Sequence, residues 1–84
     1  MTHRVVWELA AARSLEEIWD AAFDQESIGL AIDVIHEELS EDAMQKGESR
    51  DEGFRVFFAP PLAVLYWAND RATEVTIEAV WTIR

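Results

Sequence analysis

The segment 53-GFRVFFAPPLAVLYW-67 decides the fold, because two short apolar runs flank a Pro-Pro pair. Proline lacks the backbone N–H that a sheet ladder needs, so Pro60 and Pro61 cannot lie inside a paired strand away from an edge. Proline also holds φ near the value that many turns require. The segment therefore predicts a β-hairpin, in which the strands 54-FRVFF-58 and 62-LAVLYWA-68 meet at a proline turn.

Hydrophobic periodicity predicts a further strand near each end of the chain. The segment 4-RVVWEL-9 is rich in β-branched and aromatic residues, as strands are. The segment 73-TEVTIEAVWTI-83 alternates apolar and polar residues, which is typical of a strand with one buried face. Asn69 and Asp70 precede it as turn formers. The alternation predicts that one face of this last strand carries Val75, Ile77, Ala79, Trp81 and Ile83.

Two amphipathic helices are predicted between the first strand and the proline hairpin. Ser14 and Glu17 have the spacing of a capping box, which places the start of the first helix at Ser14. Asp24 or Ser27 is suited to cap the second helix. From residue 41 to residue 52 the apolar signal disappears, which predicts a connecting loop. The apolar stripes comprise Leu15, Ile18, Trp19, Ala22 and Phe23 in the first helix, and Ile28, Ala31, Ile32, Ile35 and Leu39 in the second.

The element order is therefore β-α-α-β-β-β, an α+β fold in a single domain of residues 1–84. A helical hairpin followed by consecutive strands predicts that both helices pack on one face of a small curved antiparallel sheet, and that the other face stays open. Side chains alternate along a strand, so one set in each strand must face the helices. We assign to the helix side Phe54, Val56, Phe58, Leu62, Val64 and Tyr66. The open face then carries Arg55, Phe57, Leu65 and Trp67.

Composition excludes several classes of protein. The 84 residues include no cysteine, so neither a disulfide framework nor a thiolate metal site is expected. The sequence shows no signal segment and no apolar run near the roughly 18 residues of a membrane span, which predicts a cytoplasmic protein without a membrane partner. The net charge is −10, and residues 1–52 hold 14 of the 17 acidic groups. This charge repels polyanions, so we expect no direct nucleic-acid binding.

The chain resembles the small toxins of the RelE/ParE superfamily of bacterial type II toxin–antitoxin systems. The resemblance rests on the element order and on the segments 47-GESR-50, 54-FRVFF-58, 62-LAVLY-66 and 68-ANDRATEVTIEAVW-81. It implies a toxin that a cognate antitoxin neutralises by wrapping around it. Some members of the superfamily cut mRNA on the ribosome, and others poison DNA gyrase.

The mRNA-cutting branch uses basic side chains on the open sheet face to stabilise the charged phosphate, without a metal or other cofactor. The resemblance makes Arg55 and Arg84 the candidate catalytic residues, with Arg84 matching only after a shift of one residue. Two further basic positions of that branch are occupied here by Phe57 and Ala63. Ribosome-dependent mRNA cleavage is therefore the alternative, and protein binding of the gyrase-poisoning kind is the favoured function.

An apolar patch on the open face is the predicted partner-binding surface, because a large exposed apolar patch marks an interface. Its residues are Phe57, Ala63, Leu65 and Trp67. The patch suits the antitoxin, a target protein or a second copy of the chain, and it also fits a third hypothesis, a non-toxic interaction module with the toxin fold.

Other conspicuous residues have simpler interpretations. Tyr66 shares its parity with apolar neighbours and is predicted to be a core tyrosine rather than a catalytic one. His36 is predicted to be a surface histidine, and Asp33 with Glu37 a solvated pair rather than a metal site. The aromatic side chains predicted for the core or its rim are Trp7, Trp19 and Trp81. The acidic helical hairpin is interpreted as a soluble outer surface, with docking of a basic partner or mimicry of nucleic-acid charge as the alternative.

Overall fold

The structure, a computed structural model, describes residues 2–69 and 71–83 of the chain. Strand β1 and two helices come first, and four strands follow, with one-turn 3-10 helices on either side of the second strand. The elements are β1 (Arg4–Trp7), α1 (Leu9–Ala21), α2 (Gln25–Ser40), β2 (Glu48–Ser49), β3 (Arg55–Ala59), β4 (Leu62–Asn69) and β5 (Glu74–Thr82), with the 3-10 turns at Ala43–Gln45 and Asp51–Gly53.

The strands form one mixed sheet in the order β1-β5-β4-β3-β2. β1 pairs with β5 in parallel, and all other neighbours are antiparallel. The prediction of a wholly antiparallel sheet was therefore wrong at this edge. The reason is that the helical hairpin carries the chain from β1 to β2 at the opposite edge of the sheet, and the three reversals of direction from β2 to β5 then bring β5 beside β1 in the same orientation.

Both helices pack on one face of the sheet, so the predicted α+β architecture is confirmed. The core lies between this face and the helices, where α2 contributes its predicted apolar stripe at helical spacing. Ile32 is only half-buried, at the margin of that stripe. The largest fully buried side chains are Tyr66, Ile35, Leu39, Leu62, Ile77, Val64 and Val75. Neither helix of the described chain is long and apolar enough to cross a membrane.

The N-cap of helix α1 lies six residues earlier than predicted. Glu8 is its N-cap and accepts a hydrogen bond from the Ala10 amide at 2.9 Å, so the predicted cap Ser14 lies inside the helix. A carboxylate next to the free amides of the first turn satisfies a donor that has no intrahelical partner. The same cap ends β1 at Trp7, two residues before the predicted end.

Helix α2 is capped by Asp24, one of the two N-cap residues that the sequence suggested. The Asp24 carboxylate accepts hydrogen bonds from the Ser27 amide at 3.1 Å and from the Ser27 hydroxyl at 2.6 Å. These two bonds, led by the one from the hydroxyl, lower the pKa of Asp24. The cap is therefore an ionised carboxylate at neutral pH, where its negative charge also complements the helix dipole.

The segment predicted as a loop, residues 41–52, contains a short strand. Glu48 pairs with Val56, and Ser49 pairs with Arg55, which makes β2 an edge strand of two residues. Two residues are too few to show a hydrophobic period, so only the partner strand reveals this element.

The proline turn reverses the predicted orientation of the β3 side chains: those predicted to face the helices lie on the open face, and the reverse. Pro60 and Pro61, joined by a cis peptide bond, form a two-residue connection that leaves Ala59 paired with Leu62. Because paired residues share a face, a two-residue connection places odd-numbered residues of β3 beside even-numbered residues of β4. Arg55 and Phe57 therefore face the helices.

A β-bulge in β5 changes the face of its second half. Tyr66 pairs with Ile77 and Leu65 pairs with Ala79, which leaves Glu78 as the extra residue. An extra residue inverts the alternation beyond it. The sequence predicted one shared face for Val75, Ile77, Ala79, Trp81 and Ile83. This prediction is wrong beyond the bulge. The buried face of β5 carries Val75, Ile77 and Val80, whereas Ala79 and Trp81 lie on the open face.

Candidate functional site

A cluster of hydrogen bonds ties the segment after α2 to the helix side of the sheet. Arg55 and Tyr66 stand opposite one another on β3 and β4. Arg55 donates from Nε to the Lys46 carbonyl at 2.7 Å and from Nη2 to the Gly47 carbonyl at 3.2 Å. The Tyr66 hydroxyl lies 2.9 Å from the Ala43 carbonyl oxygen and 2.8 Å from that of Lys46, so its proton is shared between them.

The same cluster explains the state of Tyr66. Its side chain is fully buried, which confirms the predicted core tyrosine. Burial raises the pKa of the phenol, and the nearby Arg55 guanidinium opposes part of this rise. The hydroxyl is therefore protonated at neutral pH and serves as a donor to backbone carbonyls.

Gly47 allows this segment to approach the sheet. Its φ is +66°, and a Cβ there would lie 2.4 Å from the Val56 carbonyl oxygen and 3.1 Å from the Tyr66 hydroxyl. Glycine is the residue that adopts this backbone conformation without a side chain in that space.

The open face of the sheet presents an apolar surface across three strands. Sheet register aligns Phe58 with Ala63 and Trp81, and Val56 with Leu65 and Ala79. Phe58 is 42% exposed, Trp67 36% and Trp81 38%. This surface, called the open-face patch below, consists of Val56, Phe58, Ala63, Leu65, Trp67, Ala79 and Trp81.

Charges on the central strands of this face are few. The Trp67 indole donates to a Glu78 carboxylate oxygen at 2.9 Å. Arg4, on the edge strand β1, forms an ion pair with Glu74. Within the described parts of β3, β4 and β5, no Lys or Arg side chain lies on the open face. The face is therefore apolar at its centre and carries charges of both signs at its margin, where Arg50 lines a depression together with Leu65.

The predicted site residues are divided between the two faces. Ala63, Leu65 and Trp67 lie together on the open face as predicted, and Ala63 is fully buried among its neighbours. Phe57 pairs with Val64 and packs against the core, so its predicted position on the open face was wrong. Arg55 was misplaced in the same way. Arg84 lies outside the described residues.

Sequence reasoning missed Phe58 and Trp81 as members of the exposed surface. A signal for Phe58 was present, because a two-residue proline turn forces opposite parities on the strands that it joins. No comparable signal marks Trp81, whose face depends on the bulge at Glu78.

The histidine and the acidic residues of the helices form no catalytic constellation in the described chain. His36 is exposed as predicted, and its Nε2 accepts a hydrogen bond from the Trp7 indole at 2.9 Å. Among the described residues, no three His, Asp or Glu side chains are grouped so as to hold a metal ion.

The architecture defines a class: a small α+β protein with a helical hairpin on one face of an open mixed sheet. Similar solved structures come from toxin–antitoxin complexes. One chain is from the toxin–antitoxin complex RelBE2 of Mycobacterium tuberculosis, with a TM-score of 0.79, 20% identity, and coverage of 98% of this chain and 92% of that chain. Another is from the chromosomal ParDE toxin–antitoxin system of P. aeruginosa, with a TM-score of 0.70, 22% identity, and coverage of 99% and 98%.

A third similar chain is from the archaeal RelE–RelB complex of Pyrococcus horikoshii OT3, with a TM-score of 0.59, 15% identity, and coverage of 98% and 96%. No protein-family model and no curated protein matches the sequence significantly. The chain has the RelE/ParE toxin fold.

Proposed function

We propose that this protein is the toxin of a type II toxin–antitoxin system and acts by binding a target protein, as gyrase-poisoning members of the superfamily do. The shared fold supports the class, because three similar chains come from toxin–antitoxin complexes. A cognate antitoxin is the partner that neutralises it, and the cytoplasm is where both would meet.

The observation that carries the proposed mode of action is the chemistry of the open face. RNA cleavage without a metal requires cations where the phosphate charge develops. The described strands β3, β4 and β5 present Phe58, Trp67 and Trp81 there instead, without a Lys or Arg. Exposed aromatic side chains in one continuous patch are typical of protein interfaces.

The position of Arg55 bears on the alternative, ribosome-dependent mRNA cleavage. Its Nε and Nη2 groups donate to backbone carbonyls on the helix side. A guanidinium held in this way supports the segment 43–47 rather than a phosphate on the open face. Protein binding therefore remains the favoured function, with a non-toxic interaction module or a homodimer as the remaining hypotheses for the same patch.

Induced expression of the chain, alone and together with the antitoxin from a neighbouring gene, tests the proposal. We expect growth arrest with the chain alone, rescue by the antitoxin, and intact cellular mRNA during arrest. A chain that never slows growth would refute the toxin hypothesis. Fragmented mRNA would support the ribonuclease alternative instead.

Two matched variants separate a catalytic role of Arg55 from its structural one. Arg55→Ala and Tyr66→Phe both remove contacts to the segment 43–47, but only the first removes a cation. If the two variants are equally toxic at equal protein levels, the result supports toxicity through protein binding rather than through mRNA cleavage. Loss of toxicity in Arg55→Ala alone would indicate a role in catalysis.

A further inference from the structure

An open cavity lies where the tip of the helical hairpin meets the end of β5. Its volume is about 820 Å³, and both helices, the turn between them, Pro61 and β5 contribute to its lining. The deepest lining side chains are apolar: Ile28 and Val80 are buried, and Ile18 and Ala22 are half-buried against the core. The tip of the hairpin is therefore not closed over the sheet.

Two exposed aromatic side chains flank this cavity. Phe23, in the turn between the helices, is fully exposed to solvent, and Trp81 of β5 is 38% exposed. A fully exposed phenylalanine beside an apolar depression gains little from its present surroundings. Aromatic residues at such positions are characteristic anchors of protein interfaces.

The charges around the cavity have one sign. Glu17 and Asp24 line it, and its described lining contains no Lys or Arg. The pKa of Asp24 is lowered by its bonds with Ser27, so this carboxylate is ionised at neutral pH. The hairpin adds to the field, since residues 8–40 include nine acidic residues and one basic residue. Such a surface attracts cationic partners.

We propose that this cavity docks a segment of another protein that presents an apolar side chain next to a lysine or arginine. The apolar side chain packs between Phe23 and Trp81, and the basic group meets Glu17 and Asp24. The cavity is too open to enclose a small molecule as ligand pockets do. A second copy of this chain is disfavoured as occupant, because it would bring its own net charge of −10 to an acidic surface.

This proposal goes beyond the proposed function, since it requires neither toxicity nor an antitoxin. It also differs in place from the open-face patch, with which the cavity shares only Trp81. Phe23 and Glu17 therefore report on the cavity alone.

Two synthetic peptides of equal length test the proposal. Both carry the same leucine and phenylalanine residues, flanked by lysine in one peptide and by glutamate in the other. We expect the lysine peptide to shift the amide NMR signals of residues 17–28 and 80–82, with an affinity that falls as salt rises. Equal binding of both peptides, shifts confined to other residues, or no binding of the lysine peptide would overturn the proposal.

Single substitutions locate the binding site. Phe23→Ser should weaken binding of the lysine peptide about tenfold, and Glu17→Gln should weaken it severalfold and reduce its salt dependence. Leu30→Ser is the matched control, because Leu30 is 59% exposed on α2 but does not line the cavity. An unchanged affinity of Phe23→Ser, or an equal loss in Leu30→Ser, would overturn the proposal. So would self-association of the wild-type chain that Phe23→Ser abolishes, because the occupant would then be a second copy.

Discussion

Arg55 and Tyr66 face each other across β3 and β4 and bind the same backbone oxygen, the carbonyl of Lys46, at 2.7 and 2.8 Å. Each side chain also binds a second carbonyl, Gly47 for the arginine and Ala43 for the tyrosine. Together they attach the segment that follows α2 to the centre of the sheet. The conspicuous arginine of the proline hairpin is thus part of the structure that holds the fold together.

The shared carbonyl predicts that Arg55 and Tyr66 are energetically coupled. Tyr66→Phe should lower the free energy of unfolding by about 1 kcal/mol, and Arg55→Met by about 1–3 kcal/mol. Either single variant leaves the Lys46 oxygen one donor, whereas the double variant leaves none, so the double loss should exceed the sum by about 0.5 kcal/mol or more. Urea unfolding measures all three values. Tyr66→Phe combined with the distant Ser27→Ala should be additive, and additivity of the Arg55–Tyr66 pair would contradict the prediction.

Burial of Tyr66 predicts that its phenol loses its proton at a higher pH in the folded protein than in the unfolded chain. Tyr66 is the single tyrosine of the chain, so the absorbance of tyrosinate reports on it alone. Its pKa in the folded protein is raised above the ordinary value of 10.0, chiefly by burial. The resulting stability is fully present below the unfolded pKa and is lost as the pH rises through the folded pKa. We expect the native absorbance change to occur at higher pH than in the urea-unfolded chain, and coincident curves would contradict this.

The backbone at Gly47 predicts a large effect of a small substitution. Gly47→Ala places a Cβ 2.4 Å from the Val56 carbonyl oxygen at a φ of +66°, and should destabilise the protein by about 1–3 kcal/mol. Gly53→Ala is the control, because Gly53 also has a positive φ, +83°, but no atom beyond its chain neighbours lies within 4 Å of the place that a Cβ would take. Urea unfolding should show the larger loss for Gly47→Ala, and equal losses would argue against close approach of this segment to the sheet.

The register of the proline hairpin predicts opposite behaviour for two adjacent phenylalanines. Phe57 packs against the core, so Phe57→Ala should cost about 2–4 kcal/mol of unfolding free energy. Phe58 is 42% exposed on the open face, and Phe58→Ala should cost less than about 1 kcal/mol. The reverse order in thermal or urea unfolding would support the face assignment predicted from sequence parity.

The open-face patch predicts that a substitution at Trp67 weakens partner binding even while the protein stays folded. Trp67→Glu should weaken binding of the proposed antitoxin partner about tenfold or more, because it replaces an exposed aromatic anchor with a charge. It should also lower the free energy of unfolding, because it removes the hydrogen bond to Glu78 and places a second carboxylate beside it, so binding is compared under conditions where circular dichroism shows the variant folded. Isothermal titration with the antitoxin gives the affinity, and Leu30→Glu, on the outer surface of α2, is the control. Unchanged affinity in Trp67→Glu would remove this residue from the interface.

Much of the architecture was predictable because its signals are local. Asp24 and Ser27, the two candidate caps, place the start of α2 within three residues, and the apolar period over the next four turns gives its buried face. The proline pair marks the turn between β3 and β4. Each signal lies within a few contiguous residues, so it can be interpreted without knowing what the segment contacts.

The candidate site was only partly predictable because strand faces depend on partners. Leu65 and Trp67 were correctly placed on the open face, where parity within β4 decides their position. Phe57 and Phe58 were exchanged, because their faces follow from the pairing of Ala59 with Leu62. The position of Trp81 on the open face follows from the bulge at Glu78. This bulge is an irregularity in the pairing of two strands, so no pattern within one strand marks it.

The sequence by itself determined the class of fold, the second helix, the proline hairpin and the concentration of negative charge in the first part of the chain. Tertiary structure alone decided that Arg55 faces the backbone of residues 46 and 47, that β1 lies parallel to β5, and that Phe58 and Trp81 are exposed. The physical reason is that composition and period act along one segment, whereas register, bulges and hydrogen bonds to distant carbonyls exist only once two segments have met.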